Sequence, residues 1–520
     1  VIRHDVVVVG AGASGAPLAA RLSEDGDRRV LLVEAGPVPL RAAGFGPGLL
    51  DGRLVPGAWP GHPAGTEYPA HLTPERPYTV VRGRFLGGST TINGGYFVRA
   101  RRADFDRWAA AGNDAWSFDR VLPFLRGLET DLDHGSSAVH GGSGPVRVRR
   151  TSLGHPAAAA FGAAAAELGF PAEPDKNDQG APGFGPVPTN TDAGVRVNTG
   201  LSYLLDAFAR PNLAVSGDST VLRVLVEGGG TAGARAVGVE LERAGRRETV
   251  RAGEVVLCAG AFASPQLLLL SGIGPRADLE RLGVPVVRHA PGVGAGFGDH
   301  PQVVVEWAPS SELPAPEGNW LGGSLHLSSS DGGHSGDLEI LQSLVPMAGL
   351  VGGTTAVPGA PLPFLVSVQA PESVGKLRLV SADPGVPPRI DYGYLSTADS
   401  RRRMREAVRV TAAVIASRAF GAVAAGRAGP DPRILADDGA LDRWIAGRLG
   451  TSVHACASAP MGPPDDPGAV VDQYGRVYGV SGLRVADTSI LPTAPLRGPA
   501  ATAVLVGEVV AAAMRRPDSP

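Results

Sequence analysis

The sequence predicts an α/β fold built on a doubly wound parallel sheet, followed by a second region of different texture. Three observations carry this. Asp5–Val9 and Arg29–Val33 are short continuous apolar runs, the pattern of strands buried on both faces. Between them Gly10–Gly15 reads as a tight turn and Ala16–Leu22 as a helix, which completes a strand–turn–helix–strand start. Glu254–Cys258 repeats the buried-strand pattern far down the chain.

The remaining elements follow in order. Gly36–Pro77 is rich in Gly and Pro and has no period, which predicts a long excursion. Ala157–Leu168 reads as an alanine-rich helix. Leu213–Glu227 and Ala236–Arg251 alternate as strands about a Gly228–Gly230 turn. From Trp307 to about Ala440 the chain reads as loops, strands such as Leu377–Val380, and a helix from about Thr397 with its start signal at Ser396 or Asp399. Arg401–Arg403 on that helix reads as a solvated face. Gly482–Met514 returns to strand–loop–helix. The longest uncharged run, Leu344–Gln369, is broken by Pro346, Pro358, Pro361 and Pro363; it is expected to be irregular chain and not a transmembrane segment, which needs about 20 predominantly apolar residues.

Bulk properties set outer limits. A chain of 520 residues suggests two to three domains. With 43% hydrophobic and 19% charged residues it is not wholly disordered, and a net charge of −3 gives no reason to expect a nucleic-acid partner. Two cysteines, Cys258 and Cys456, are too few for a disulfide framework. With an opening that reads as a core strand, the expected location is the cytoplasm, with peripheral membrane attachment as the alternative. Of 48 basic residues only Lys176 and Lys376 are lysine, which reads as coding bias.

Gly10, Gly12 and Gly15 form a G-x-G-x-x-G turn between strand and helix. The first allows the turn, the second lets backbone approach a pyrophosphate, and the third lets helix pack on strand. The helix N-terminus then offers free N–H groups to phosphates. Glu34 ends the second strand, where a carboxylate can accept from a ribose. These residues predict a dinucleotide site and leave FAD and NAD undistinguished. No His, Cys or carboxylate cluster has metal-ligand spacing, so no metal is expected.

A wider set of segments settles that choice. Gly83–Asn93, Gly260–Pro265 leading to Ser271–Gly274, Pro291–Gly294 leading to Gly298–Pro301, Ala370–Pro384, and a tail from His454 through Asp472 and Gly482–Asp487 to Ser489–Glu508 together resemble the glucose–methanol–choline (GMC) family of FAD oxidoreductases. The resemblance covers nearly the whole chain in the right order. It implies a Rossmann-like FAD domain from 1–155, 196–305 and 446–520, and an α+β substrate domain with a large antiparallel sheet from 156–195 and 306–445. It implies FAD contacts at Arg84, Gly87, Gly88, Asn93, Val221 and Asp487. Some members link FAD covalently through a histidine at the position of Ile92, so here the FAD is expected to be non-covalent. His454 maps to the family's catalytic base, which takes an alcohol's hydroxyl proton as hydride leaves for the flavin. Imidazole suits that task because it titrates near neutral pH. The other ten histidines, His300 included, are assigned no catalytic role.

One position departs from the family. Where members carry a second His or Asn, this chain has Gly498, and the neighbouring Arg497 is the side chain available near it. A guanidinium can stabilise an anion but cannot act as a base. The Gly88–Phe97 segment and the altered tail are similar to the branch associated with the redox carrier mycofactocin. That similarity implies oxidation of an alcohol or a reduced carrier, with electrons passed to an unidentified acceptor other than oxygen. An oxidase making hydrogen peroxide and a non-redox lyase of the hydroxynitrile type stand as alternatives.

Overall fold

The computed structural model describes residues 4–228, 233–331, 333–351, 359–370, 374–427 and 429–515. Its first sheet contains β1 (His4–Val9), β2 (Val30–Val33), β3 (Leu213–Ser216), β4 (Ser219–Gly228), β5 (Ala234–Arg243) and β6 (Arg246–Leu257), in spatial order β3–β2–β1–β6–β5–β4. β3, β2, β1 and the second half of β6 are parallel, and Leu483–Val485 extends this parallel set beyond β6. Val7, Val8, Val30 and Val256 are fully buried, which is why these strands read as unbroken apolar runs. Helix α1 (Gly15–Leu22) packs on β1, β2 and the C-terminal helix Ala500–Arg515.

The sequence expectation needs correction at β5 and β6. Ala236–Arg251 is a hairpin and not one strand, because Ala244 and Gly245 both take positive φ, +49° and +73°, as a two-residue turn requires. After that turn β6 runs unbroken to Leu257. Its first half pairs antiparallel with β5 and its second half parallel with β1. The Gly228–Gly230 turn lies partly outside the described residues.

The second sheet is large and antiparallel. It contains β7 (Pro301–Pro309), β8 (Leu321–Leu327), β9 (Leu338–Ser343) and β10 (Leu362–Val368), in the order β7–β10–β9–β8, with Ala424–Arg427 against β7 and Phe184–Pro186 against β8. Helices Pro156–Glu167 and Ala398–Ala416 cover one face. Phe161 seats its ring 4.9 Å from both Phe184 and Phe364 there. β10 lies within the uncharged run expected to be irregular: Phe364, Val366 and Val368 are fully buried, and Pro363 sits at the strand's start, where a missing N–H costs least. Residues 352–358, with Pro358, lie outside the described residues, as does Pro371.

Two expected domain limits cut through elements: 305/306 divides β7, and 445/446 divides the helix Asp438–Arg448. The start of β7 belongs to the site described below, because Pro301 and Gln302 pair with Thr451 and Gly450. The helix Ala398–Ala416 is capped by Thr397, whose side chain accepts from Ser400 N. Its Arg401–Arg403 run is not a single solvated face, since successive helical residues point about 100° apart. Arg403 is buried and stands 3.4 Å from Asp337. Among the described residues no helix is long and apolar enough to cross a membrane.

Candidate active site

A cleft of about 420 Å³ opens at the C-terminal ends of the parallel strands. Gly10, Gly12, Glu34, Arg84, Gly88, Val221 and Asp487 all line it. Gly15 does not; a Cβ there would run into Gly10 O, so its part is to let α1 lie close to the turn. Gly87 and Asn93 also stand off the cleft: Gly87 packs on Asn198, and Asn93 Oδ1 accepts from Gly95 N at 3.0 Å. Gly88, with φ +53°, passes so close to Gly12 that its Cβ would lie 2.7 Å from Gly12 Cα. Two glycines therefore bring the first turn and the 83–93 loop together across the cleft floor.

Two carboxylates on the cleft wall are already held by the chain. Glu34 accepts from Ala11 N and Gly36 N, both at 2.9 Å, and burial pushes its pKa up. Asp487 accepts from Gly260 N at 2.8 Å, Ser264 Oγ at 2.5 Å and Ser489 N at 2.9 Å, so it fastens the start of helix Gly260–Leu270 to the tail.

His454 follows the two-residue strand Gly450–Thr451, which pairs with the start of β7. Thr451 and Gly450 pair with Pro301 and Gln302, Ser452 N donates to His300 O at 3.0 Å, and Cys456 and Gly298 exchange backbone hydrogen bonds at 2.9 and 3.0 Å. This ladder puts the two imidazoles edge to face, with Nδ1 to Nδ1 at 2.9 Å. Asp299 Oδ1 accepts the backbone N–H of both histidines at 2.7 Å. Val453, just before His454, has φ +61°, a strained conformation for a β-branched residue. Arg82 Nη1 donates to its carbonyl at 2.9 Å and helps hold it. Burial, then the neighbouring His300, pulls the His454 pKa down to about 3, and burial pulls His300 to about 4. Both rings are neutral at pH 7. Burial raises Asp299 to about 6.

Gly498 faces His454 directly. A Cβ at 498 would lie 3.0 Å from His454 Nε2 and 3.0 Å from two ring carbons of Tyr96. The place of a second polar side chain is thus closed off by the Tyr96 ring, whose hydroxyl donates to Glu339 Oε1 at 2.9 Å. Arg497 turns away into a fully buried polar group with Glu173, Lys176, His326 and Glu339.

Two profiles of the GMC oxidoreductase family match the chain, one over residues 4–302 and one over 371–507. The chain belongs to the GMC oxidoreductase family. It is 38% identical to a GMC-type oxidoreductase of Rhodococcus erythropolis, with 97% of each chain covered. It is 34% identical to oxygen-dependent choline dehydrogenase 1 of Chromohalobacter salexigens, over 99% of this chain and 95% of the relative. The crystal structure of pyridoxine 4-oxidase from Mesorbium loti superposes with a TM-score of 0.88 at 28% identity, over 98% of this chain and 99% of that one.

Enzymes of this family are FAD-dependent, and the cleft of this GMC oxidoreductase fits the cofactor. Its lining includes Val221, the glycine turn, Asp487 and Thr488, and Gly12 and Gly88 meet there with no side chain in the way. The sequence reading did not single out Tyr96, Lys176 or Glu339, and it gave His300 no part. His300 could have been found from its place in the Gly298–Pro301 segment, and Lys176 as one of two lysines. In space, Asp299, His300 and His454, and separately Glu129, Asp131 and His140, come close enough to share a cation, which sequence spacing did not suggest. In the first group the near carboxylate oxygen is spent on backbone N–H groups. In the second, Arg99 and Arg150 pair with the acids.

Proposed function

We propose that this GMC oxidoreductase oxidises the CH–OH group of an alcohol, with His454 as the base that takes the hydroxyl proton. The carrying observation is the His300–His454 Nδ1 contact. With the shared proton on His454 Nδ1, Nε2 is left as a lone-pair acceptor that faces Gly498. The depressed pKa keeps that nitrogen unprotonated at neutral pH, and makes it a weaker base than the free imidazole expected from the sequence. FAD bound in the cleft supplies the hydride acceptor. The N–H groups at the start of α1 bind its pyrophosphate, Glu34 its ribose, and Val221 its adenine end; the chain divides accordingly into a cofactor part (1–155, 196–305, 446–520) and a substrate part (156–195, 306–445).

Ile92 is buried and has no nucleophilic atom, which supports non-covalent FAD. Acid precipitation should release the flavin into the supernatant, and flavin retained in the pellet would refute this. The similarity of Gly88–Phe97 to the mycofactocin-associated branch supports an acceptor other than oxygen. The names of the choline dehydrogenase and pyridoxine oxidase relatives support hydrogen peroxide as the second outcome.

One experiment separates these readings. Mixing the holoenzyme anaerobically with an alcohol panel should bleach the flavin absorbance, and admitting air then distinguishes oxidase from dehydrogenase. His454→Ala should slow bleaching by roughly 10²–10⁴. An unchanged rate would remove His454 from the reaction.

A further inference from the structure

The second sheet turns a row of polar side chains toward His454. His326 on β8 pairs in register with Glu339 on β9, Glu339 with Ser367 on β10, and Ser367 with Gln302 on β7. The alternate positions Leu325, Ile340, Val366 and Val303 are buried in the apolar core, so the sheet has one apolar and one polar buried face. Gln302 Nε2 donates to Ser452 Oγ at 3.1 Å and Tyr96 donates to Glu339, so the polar face meets the site at two members of the row.

The carboxylates of this face are used up. Glu339 receives Tyr96 Oη at 2.9 Å and Gln369 Nε2 at 2.8 Å, with His326 Nε2 at 3.1 Å. Glu173 receives Lys176 Nζ at 2.7 Å, Gly183 N at 3.2 Å and Arg101 Nη1 at 3.4 Å. Donors are left over. Arg497 is fully buried; its Nη1 donates to Gly336 O and Leu496 O, but Nε and Nη2 have no hydrogen-bond acceptor among the described residues. Its Nη2 stands 3.8 Å from Glu173, beyond hydrogen-bond reach. The charges are also unequal. Arg101, Lys176 and Arg497 face Glu173 and Glu339, while Asp104 nearby is paired with Arg107 at 2.8 Å. A buried group with surplus positive charge and orphaned N–H donors lacks an anion.

We propose that the substrate of this site is an anionic alcohol, a short hydroxy acid whose carboxylate is received by Arg497 while its hydroxyl carbon sits at His454. The proposal rests on the reading of His454 as the base that meets an alcohol. It sets this chain apart from the choline dehydrogenases among its relatives: a quaternary ammonium at the polar face would meet Glu173 and Glu339, whose carboxylates already hold the chain's own donors, and the Arg497 guanidinium beside them.

Three alcohols of similar size test the charge directly: choline, its neutral carbon isostere 3,3-dimethylbutan-1-ol, and 4-hydroxybutanoate. Anaerobic flavin bleaching by the holoenzyme should be fastest per unit concentration with 4-hydroxybutanoate and slowest with choline, by roughly tenfold or more at each step. Arg497→Met should slow the anion about ten- to hundredfold, the worth of a hydrogen bond to a charged group, and spare the neutral alcohol. Arg497→Lys, which keeps the charge, should lie between. Choline matching or outrunning its neutral isostere overturns the proposal, as does an Arg497→Met variant that slows all three alike. Should Arg497→Met not fold, the wild-type order and Arg497→Lys carry the test. Should no alcohol bleach the flavin, the oxidation reading fails by itself, and titration with pivalate and tetramethylammonium, followed by the flavin absorbance shift, still decides. Tighter pivalate supports an anion site, and tighter tetramethylammonium overturns it.

Discussion

Gly498 and Tyr96 compete for one space, and the competition can be measured. Substituting Gly498→Asn introduces the polar residue that the family resemblance leads one to expect there. Its Cβ must lie 3.0 Å from His454 Nε2 and from two carbons of the Tyr96 ring, shorter than ordinary contact with three atoms at once. Tyr96 is anchored at its hydroxyl by Glu339, so the ring cannot simply swing aside. Overpacking of this kind costs about 1–3 kcal/mol. In a Tyr96→Ala background two of the three contacts are gone and most of the cost should be relieved, giving a double-mutant coupling of about 1–2 kcal/mol. Tyr96→Phe removes the hydroxyl and keeps the ring, so it should not rescue Gly498→Asn. The assay is the thermal midpoint of each holoenzyme at one scan rate, with anaerobic bleaching as a second readout. Additive effects of Gly498→Asn and Tyr96→Ala would show that the ring does not fill the missing side chain's place.

Two further outcomes follow from the site's electrostatics. Native His454 stays neutral down to about pH 3, while an unfolded histidine takes up its proton near 6.5. Between about pH 6 and 4 the unfolded state therefore binds the extra proton, and stability falls as pH falls, by about 1.4 kcal/mol per pH unit from this residue alone. His454→Gln should flatten the pH dependence of the denaturation midpoint by that amount, and an unchanged slope would contradict a neutral buried ring. Glu34→Ala strands Ala11 N–H and Gly36 N–H, which should cost roughly 1–3 kcal/mol and weaken FAD retention on gel filtration. Full retention with an unshifted midpoint would leave Glu34 without its assigned part.

Local signals in the sequence lead to residues that line the cleft. The glycine turn, the two apolar strands and Glu34 are contiguous features whose geometry is set within about thirty residues, and the structure places Gly10, Gly12 and Glu34 on one cleft wall. The β5–β6 hairpin was lost because Ala244 gives no turn signal, although Gly245 beside it does. The substrate side was harder to read. His300 and His454 are 154 positions apart and meet only through the pairing of residues 298–302 with 450–456. The polar row His326–Glu339–Ser367–Gln302 is a property of sheet register, which hydrophobic pattern fixes only after the strands are known. Lys176 was visible as a rarity, but its burial was not.

The short ladder that joins residues 301–302 to 450–451 also bears on how the protein acquires its competence. Nothing local holds the two imidazoles together; their pairing closes a loop that contains most of the second sheet. Contacts of such long sequence separation pay their loop entropy before they return any energy, and they slow folding. The nucleotide cleft has one wall built from the first thirty-odd residues, whereas the imidazole pair waits for nearly the whole chain. A nascent or partly refolded molecule is therefore expected to form the glycine-turn wall of the cleft before the imidazole pair, and the wall that carries Asp487 and Thr488 only with the last of the chain.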